Sequence, residues 1–306
     1  MKLHVNGITI EAEDSGGSGE PVLLIMGLNG QLIHWPDSLL QGLTGAGHRV
    51  LRFDNRDAGL STHLADKPAP RIPWVATQAW MGLRPSVPYR LADMAADALG
   101  VLDALGLHRA HIVGLSMGAM IAQRVALAAP ERVRSLTCIM GSSGGRGLMK
   151  PKAAVLRAAT TKPRGSADMA ALEQYYLNFF RAISSPTLPP PESELRAALE
   201  RTVRRGGLDT EGTYRQLAAI LADDDRAELL SRIACPTLVM HGAEDTLLPM
   251  ACGEDTARRI PGARLEIIAD MAHDLVPAAH PEIVRRVLAV LLPFLAGQDV
   301  RQEPFS

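Results

Sequence analysis

Residues 114–118, with the sequence GLSMG, place one serine between two glycines at the spacing of a sharp turn from a strand to a helix. The residues before it, 109–113, form a short run with strand character, and residues 119–129 favour a helix that Pro130 ends. The two glycines lack the Cβ atoms that would clash where strand and helix approach each other. The motif therefore predicts a strand, a turn that exposes the Ser116 hydroxyl, and a helix.

A serine hydroxyl is a weak nucleophile near neutral pH, so an exposed one calls for a base to accept its proton and an acid to orient that base. His273 follows residues 263–268, which alternate as a strand does, and Asp245 lies in a loop after the apolar run 236–241. Catalytic groups on a parallel sheet lie at the carboxyl ends of its strands. We therefore expect Ser116 as the nucleophile, His273 as the general base and Asp245 as its partner.

The acid and the base each have an alternative. Glu244 or Asp270 could be the partner of His273, and Asp245 would then be a solvated loop acid. The chain also has nine histidines, so His273 itself could be a surface residue. Both alternatives stay open on the residues alone.

Strands and helices alternate from residue 21 onward, which indicates a mostly parallel sheet with helices on both faces. A hairpin at Asn6-Gly7 adds an antiparallel start. Strands are predicted near residues 2–5, 8–13, 21–26, 48–53, 110–115, 134–140, 236–241 and 263–268. Helices of this core are predicted near residues 36–46, 91–105, 117–129, 250–259 and 280–295.

Two stretches depart from this alternation. Residues 142–229 begin with a glycine-rich run and contain three apparent helices separated by prolines and glycines, so we expect a helical cap between the sixth and seventh strands. The expected organisation is a core of residues 1–141 and 230–306 interrupted by this cap. Residues 63–90 are proline-rich and too long for an ordinary connection, which favours a lid or binding segment. The cap helices are predicted near residues 168–183, 192–204 and 210–221, and the proline-rich stretch carries Trp74 and Trp80 as candidate substrate-binding residues.

Composition and charge exclude several function classes. A net charge of -1 and a pI near 6.8 give no long-range attraction to nucleic acid or to an anionic membrane. The first residues alternate as a strand does and do not resemble a secretory signal, and no run of 18 residues is apolar and uncharged. Three cysteines without a framework spacing suit a cytoplasmic protein, and neither a metal-ligand spacing nor a phosphate-binding loop is present. We therefore expect no metal and no cofactor, and the oligomeric state stays open.

Over nearly its full length the chain resembles the α/β-hydrolase superfamily, and within it the group of aclacinomycin methylesterase-like bacterial esterases. The order Ser116, Asp245, His273 is the order of that superfamily. Its pattern of a glycine three residues before the acid and a proline four residues after it favours Asp245. The resemblance is carried by residues 21–28, 52–61, 114–118, 241–249 and 271–273.

This resemblance implies an eight-stranded α/β-hydrolase fold and a serine carboxylesterase that cleaves small to medium esters with water. The backbone amides of Leu28 and Met117 would form the oxyanion hole. Many relatives have His-Gly before that loop amide, whereas this chain has Met26-Gly27, so support from a histidine side chain is lost there. His34 lies close to the same loop and is a candidate substrate contact.

Other reactions share the serine triad, and the sequence leaves them open. Carbon–carbon bond hydrolases and cofactor-free perhydrolases use the same three residue types. A non-catalytic ligand-binding protein on the same scaffold is a further alternative. Haloalkane dehalogenases and epoxide hydrolases are different, because their turn carries an aspartate where this chain has Ser116.

Overall fold

Eight β-strands form one sheet in the computed structural model, which describes residues 1–160 and 169–299. The spatial order is β1-β2-β4-β3-β5-β6-β7-β8, with β2 antiparallel to both of its neighbours and all later pairs parallel. The mostly parallel sheet expected from the sequence is confirmed. In chain order the strands are β1 (Lys2–Val5), β2 (Ile8–Asp14), β3 (Pro21–Ile25), β4 (Arg49–Phe53), β5 (Ala110–Leu115), β6 (Val133–Ile139), β7 (Thr237–Gly242) and β8 (Arg264–Ile268).

Eleven α-helices within the same described ranges accompany the sheet. Five of them match the helices predicted for the core. They are α1 (Asp37–Gly45), α2 (Ile72–Trp80), α3 (Leu91–Ala104), α4 (Met117–Ala128), α5 (Ala153–Thr160), α6 (Met169–Ile183), α7 (Glu192–Arg205), α8 (Thr210–Leu221), α9 (Arg226–Leu229), α10 (Ala251–Arg259) and α11 (Pro281–Asp299).

The sheet has a hydrophobic core on each face because its strands alternate. Leu23 and Ile25 of β3 pack into the core that contains α3 and α4. Val22 and Leu24 of the same strand pack into the core that contains α1 and α11. All four side chains are fully buried, as expected of a central parallel strand covered on both faces. Because helices cover both faces, the loops at the carboxyl ends of the strands are the place where a site can form.

The segment of residues 142–229, here called the insert, lies between β6 and β7 and consists mainly of helices α5 to α9. Its helices α6, α7 and α8 begin and end within one residue of the predicted bounds. Residues 161–168 of the predicted cap, and residues 300–306 of the second core part, lie outside the described residues. The division of the chain into domains at these boundaries stays a prediction.

Buried ion pairs join the insert to the core. Arg215 of α8 donates two hydrogen bonds to Asp57, at 2.9 and 2.8 Å, and both side chains are almost inaccessible to solvent. Arg205 of α7 donates to Asp54 at 2.7 Å. The insert is therefore joined to the core by ion pairs with buried carboxylates. Loss of either arginine would leave a buried aspartate without its countercharge.

The proline-rich stretch of residues 63–90 contains a helix, α2, which packs against α8 of the insert. Val75 is the buried side chain of this helix, and most of the others are partly or fully exposed. The stretch therefore covers the outer side of the insert. None of the described helices combines the length and the apolar composition that crossing a bilayer requires.

The Arg215–Asp57 pair generates a stability prediction. Arg215→Met should lower the free energy of unfolding by about 3–5 kcal/mol, because it leaves the Asp57 carboxylate buried without its countercharge. Urea denaturation followed by circular dichroism measures this change. The double variant Arg215→Met/Asp57→Asn should recover part of the loss, since it also removes the unpaired charge.

The matched control is Arg196→Met, which removes an arginine from α7. Arg196 pairs with Glu192 at 2.7 Å and also with Glu173 of α6, and all three side chains are at least about a third exposed. Exposed pairs of this kind contribute about 0–1 kcal/mol. Equal losses in the Arg215 and Arg196 variants would contradict a special role for the buried pair.

Candidate active site

Ser116 lies in the turn between β5 and α4, as the GLSMG motif predicts. Its φ is 55° and its ψ is -119°, a backbone conformation that a residue with a side chain rarely adopts. A Cβ on Gly114 would lie 2.1 Å from the carbonyl oxygen of Gly118, and a Cβ on Gly118 would lie 2.0 Å from the carbonyl oxygen of Ile25. Only glycine fits at these two positions, so the strained turn depends on them.

The Ser116 side chain begins a row of three hydrogen-bonded groups. Its Oγ lies 2.9 Å from Nε2 of His273, and Nδ1 of His273 lies 2.7 Å from Oδ2 of Asp245. The other carboxylate oxygen, Oδ1, accepts hydrogen bonds from the amides of Leu247 and Leu248 at 2.9 and 2.8 Å. The three side chains come from loops after β5, β7 and β8, which end at the same edge of the sheet.

The electrostatics of this row keep Asp245 ionised. Burial raises the pKa of the Asp245 carboxyl, but the charge of His273 and hydrogen bonds from His241 and His273 outweigh burial, so the pKa lies well below its usual range. A carboxylate at this place accepts a hydrogen bond from the Nδ1–H group of His273. Nε2 is then the free acceptor that faces the Ser116 hydroxyl, which is the orientation a general base needs.

The alternative acids have other partners. Glu244 accepts hydrogen bonds from two hydroxyl groups of the insert. Asp270 pairs with Arg286 at 3.0 Å. Asp245 is thus the acid that the structure brings to His273.

The loop after β3 passes directly beside Ser116. A Cβ on Gly27 would lie 3.1 Å from the Cβ of Ser116, a tighter contact than most Cβ atoms make, so glycine favours this close approach of the loop. Leu28 follows in this loop, and Met117 follows the serine. Within the described parts of the chain, neither the Leu28 amide nor the Met117 amide has a hydrogen-bond acceptor. Both amides can therefore donate to a negative oxygen that develops near Ser116.

A cavity of about 440 Å³ opens beside Ser116 and His273, and one wall of it belongs to helix α6. No Asp, Glu, Lys or Arg is among the described residues that line it. Sequence reasoning missed the α6 wall, although one signal was available. Four of the chain's twelve aromatic residues fall within six positions of α6. These aromatic residues are Tyr175, Tyr176, Phe179 and Phe180.

The predicted substrate-binding residues lie in different places. His34 lines the cavity. Trp74 and Trp80 do not belong to the described lining; they are 62% and 84% exposed, and Trp74 lies with Tyr214 in a separate surface hollow. The physical reason is that α2 packs its buried side on α8 and turns both indoles outward. Their expected role in substrate binding therefore has no support in the structure.

His34 is held as a neutral ring by two hydrogen bonds. Its Nδ1 accepts from the backbone amide of Gln31 at 3.2 Å, so the ring proton lies on Nε2, which donates to Oγ1 of Thr202 at 2.7 Å. Burial, followed by the charges of Arg201 and Arg205, lowers the pKa of His34 to about 4. Protonation of Nδ1 would break the bond to Gln31. His34 thus adds an uncharged polar group to the cavity at neutral pH.

One cluster outside this cavity has the residue types of a metal site. Asp57, His63 and Asp209 lie within 4.8 Å of one another. The guanidinium of Arg215, however, lies 2.8 Å from Asp57 and 3.5 Å from Asp209. The cation that balances these acids is therefore Arg215, and His63 completes the cluster through a 2.6 Å contact with Asp209.

Comparisons with known proteins agree with this geometry. The family model described as alpha/beta hydrolase fold matches residues 20–277. The chain is 29% identical to the rhodomycin D methylesterase of Streptomyces peucetius, over 92% of this chain and 94% of that protein. A solved hydrolase from Pseudomonas aeruginosa PA01 is 28% identical with a TM-score of 0.68, over 96% of this chain and 97% of that one. A meta-cleavage product hydrolase from Pseudomonas fluorescens IP01 shares the fold, with a TM-score of 0.74 at 18% identity over 97% of each chain.

The lowered pKa of His34 generates a pH prediction. Between pH 6.5 and about 4 the unfolded chain binds a proton at His34 that the folded chain does not bind. Acidification through this window should therefore lower the free energy of unfolding of the wild type relative to His34→Gln, by up to roughly 3 kcal/mol. Urea denaturation at several pH values between 7 and 4 measures the difference.

His4→Gln, at an exposed position of β1, controls for the loss of one histidine. Its unfolding free energy should follow that of the wild type through the same pH range. If the wild type and His34→Gln lose stability in parallel from pH 6.5 to 4, the neutral, buried state of His34 is contradicted.

Proposed function

Because this chain belongs to the alpha/beta hydrolase fold family, as its motifs predict, we propose that it is a serine carboxylesterase for neutral esters of small to medium size. The observation that carries the proposal is the hydrogen-bonded row of Ser116, His273 and Asp245 beside two backbone amides that have no acceptor among the described residues. A nucleophile, a base, an orienting acid and oxyanion donors are the four parts that acyl transfer requires.

In the first half of the reaction, the Ser116 Oγ attacks the ester carbonyl carbon while Nε2 of His273 takes the hydroxyl proton. The carbonyl electron pair moves onto oxygen, and the amides of Leu28 and Met117 donate to that oxyanion. Removal of one such donor typically costs about 3–4 kcal/mol of transition-state stabilisation. The tetrahedral intermediate then collapses, and the leaving alcohol departs with the proton from His273.

Water completes the cycle in the second half. It attacks the acyl-Ser116 ester while His273 again accepts a proton, and the collapse of this intermediate returns the proton to Ser116 and releases the acid. Asp245 stabilises the imidazolium form of His273 in both halves, because it is a buried carboxylate 2.7 Å from Nδ1. No metal or cofactor is needed for these steps.

The cavity supports a substrate that carries no charge near the reacting bond. Its volume of about 440 Å³ lies within the usual range of small-molecule sites. The α6 side of the cavity is lined mainly by aromatic residues. His34 adds a polar group that is neutral near pH 7. The name of the Streptomyces peucetius relative, a methylesterase, supports ester hydrolysis in general. We also propose that the insert acts as a cap, because α6 covers the cavity from above the sheet edge.

The first functional prediction concerns Ser116→Ala, assayed on a series of p-nitrophenyl esters from acetate to octanoate. The variant should fold and lose kcat by a factor on the order of 10⁴ or more, since it lacks the nucleophile. Stopped-flow measurement of the wild type should show a burst of nitrophenol where deacylation is slower than acylation. Ser135→Ala, which removes another buried serine hydroxyl, should keep wild-type kcat.

Residual activity within tenfold of the wild type would rule out Ser116 as the nucleophile. If the wild type cleaves no ester but acts on a vinylogous diketone, the reaction is carbon–carbon bond hydrolysis by the same three groups. If it binds ligands and turns over neither class, a ligand-binding protein on this scaffold becomes the better description.

The second functional prediction concerns charge. The kcat/KM for mono-p-nitrophenyl adipate should be at least about 100-fold lower than for its neutral methyl ester, because the described lining of the cavity offers the carboxylate no countercharge and desolvation costs several kcal/mol. The two substrates have the same acyl chain, and nitrophenol release is the signal for both. Similar kcat/KM values would show that this end of the substrate stays in water.

A further inference from the structure

We infer that Gln216, on helix α8 of the insert, is a positioning residue for the loop after β3. This loop is here called the oxyanion loop, because it carries the proposed donor Leu28. This inference rests on the proposed function. The Gln216 side chain is fully buried and is not among the described residues that line the cavity. Its Oε1 accepts the backbone N–H of Asn29 at 2.8 Å, and its Nε2 donates to the carbonyl oxygen of Arg56 at 2.7 Å. One side chain thus connects the loop after β3 to the loop after β4.

The bond to Asn29 lies next to the proposed oxyanion donor, because Leu28 is the preceding residue. Asn29 has a φ of 55°, a left-handed conformation that surrounding contacts must hold in place. The turn is closed by a 3.2 Å bond from the Gly30 amide to the Gly27 carbonyl. On the core side, the Asn55 side chain donates to the carbonyl of Met26 at 2.9 Å. Gln216 supplies the contact from the opposite side, where the loop faces the insert.

The helix that carries Gln216 is itself firmly placed. The neighbouring residue, Arg215, makes the buried ion pair with Asp57. A Cβ on Gly212, one turn earlier, would lie 2.8 Å from both Cβ and the carbonyl oxygen of Asp57, so α8 and the loop after β4 are in close contact. Gln216 can therefore transmit the position of α8 to the Asn29 amide. Without it, the half-buried Asn29 N–H would have no acceptor among the described residues, and the turn that presents Leu28 would shift.

A shift of the Leu28 amide affects the transition state more than the bound substrate, since the negative oxygen exists only during the reaction. Gln216→Met has nearly the same shape and removes both hydrogen bonds. We expect its kcat on the preferred p-nitrophenyl ester to fall on the order of 10- to 100-fold, with KM within about threefold of the wild type. A role in global stability alone would not separate kcat from KM in this way.

The second readout is the affinity for an alkyl trifluoromethyl ketone, measured by calorimetry. Ser116 Oγ adds to the ketone carbon, its proton goes to His273, and the carbonyl electron pair becomes an oxyanion in the proposed hole. The Kd of this ketone should rise in Gln216→Met by about the same factor as kcat/KM falls.

The matched control is Gln123→Met. Gln123 is also fully buried and bonded, through Arg226 and the carbonyl of Ser142, and none of its hydrogen bonds among the described residues goes to the oxyanion loop. It should lose thermal stability and keep kcat and the ketone Kd of the wild type. If Gln216→Met does not fold, Gln216→Asn takes its place, because its shorter side chain cannot span Asn29 and Arg56.

The inference is overturned if the folded Gln216 variant keeps wild-type kcat and ketone Kd, or if Gln123→Met loses both to the same extent. Failure of the proposed function gives a different result. A wild type that cleaves no ester but binds the ketone through Ser116 contradicts the esterase, and the ketone Kd values still decide the role of Gln216. A wild type that neither cleaves esters nor binds the ketone overturns both.

Discussion

The close approach of three backbone segments around Ser116 is the constraint on which the rest of the site depends. The end of β5, the start of α4 and the loop after β3 come so near to one another that Gly114 and Gly118 have no room for a side chain, and a Cβ on Gly27 would be tightly packed. This contact holds Ser116 in a strained conformation and places the loop amides beside it. The strain is local, but the two hydrophobic cores that bury both faces of the sheet hold it in place.

The insert completes the site as well as covering it. Its helix α6 supplies the aromatic wall of the cavity, and the carbonyl of Ile183 accepts the backbone N–H of His273 at 3.0 Å. Helix α8 reaches the oxyanion loop through Gln216. The insert is joined to the core by buried ion pairs, whose geometry is more exacting than that of apolar contacts. A stable and specific placement of the insert is therefore a condition for the geometry around Ser116.

Charge is distributed unevenly between the cavity and its surroundings. Two arginine–aspartate pairs, Arg205–Asp54 and Arg215–Asp57, join the insert to the loop after β4. No Asp, Glu, Lys or Arg is among the described residues that line the cavity. His34 marks the boundary, because it lies near Arg201 and Arg205 and keeps a low pKa. In such an interior, backbone amides are the proposed donors to a developing negative charge on a substrate oxygen, and Asp245 is the only described carboxylate hydrogen-bonded to the His273 ring.

Local patterns in the sequence determined the strand, turn and helix around Ser116, the mostly parallel sheet, and the three long helices of the insert. These features depend on neighbouring residues, through periodicity, glycine spacing and proline, so the sequence displays them directly. The resemblance already favoured Asp245 over Glu244, and the fold places it against His273. Tertiary structure alone decided that Trp74 and Trp80 point outward and that Gln216 bonds Asn29 across 187 positions. Which side of an element faces which neighbour is set by how whole elements pack, and no local pattern records that packing.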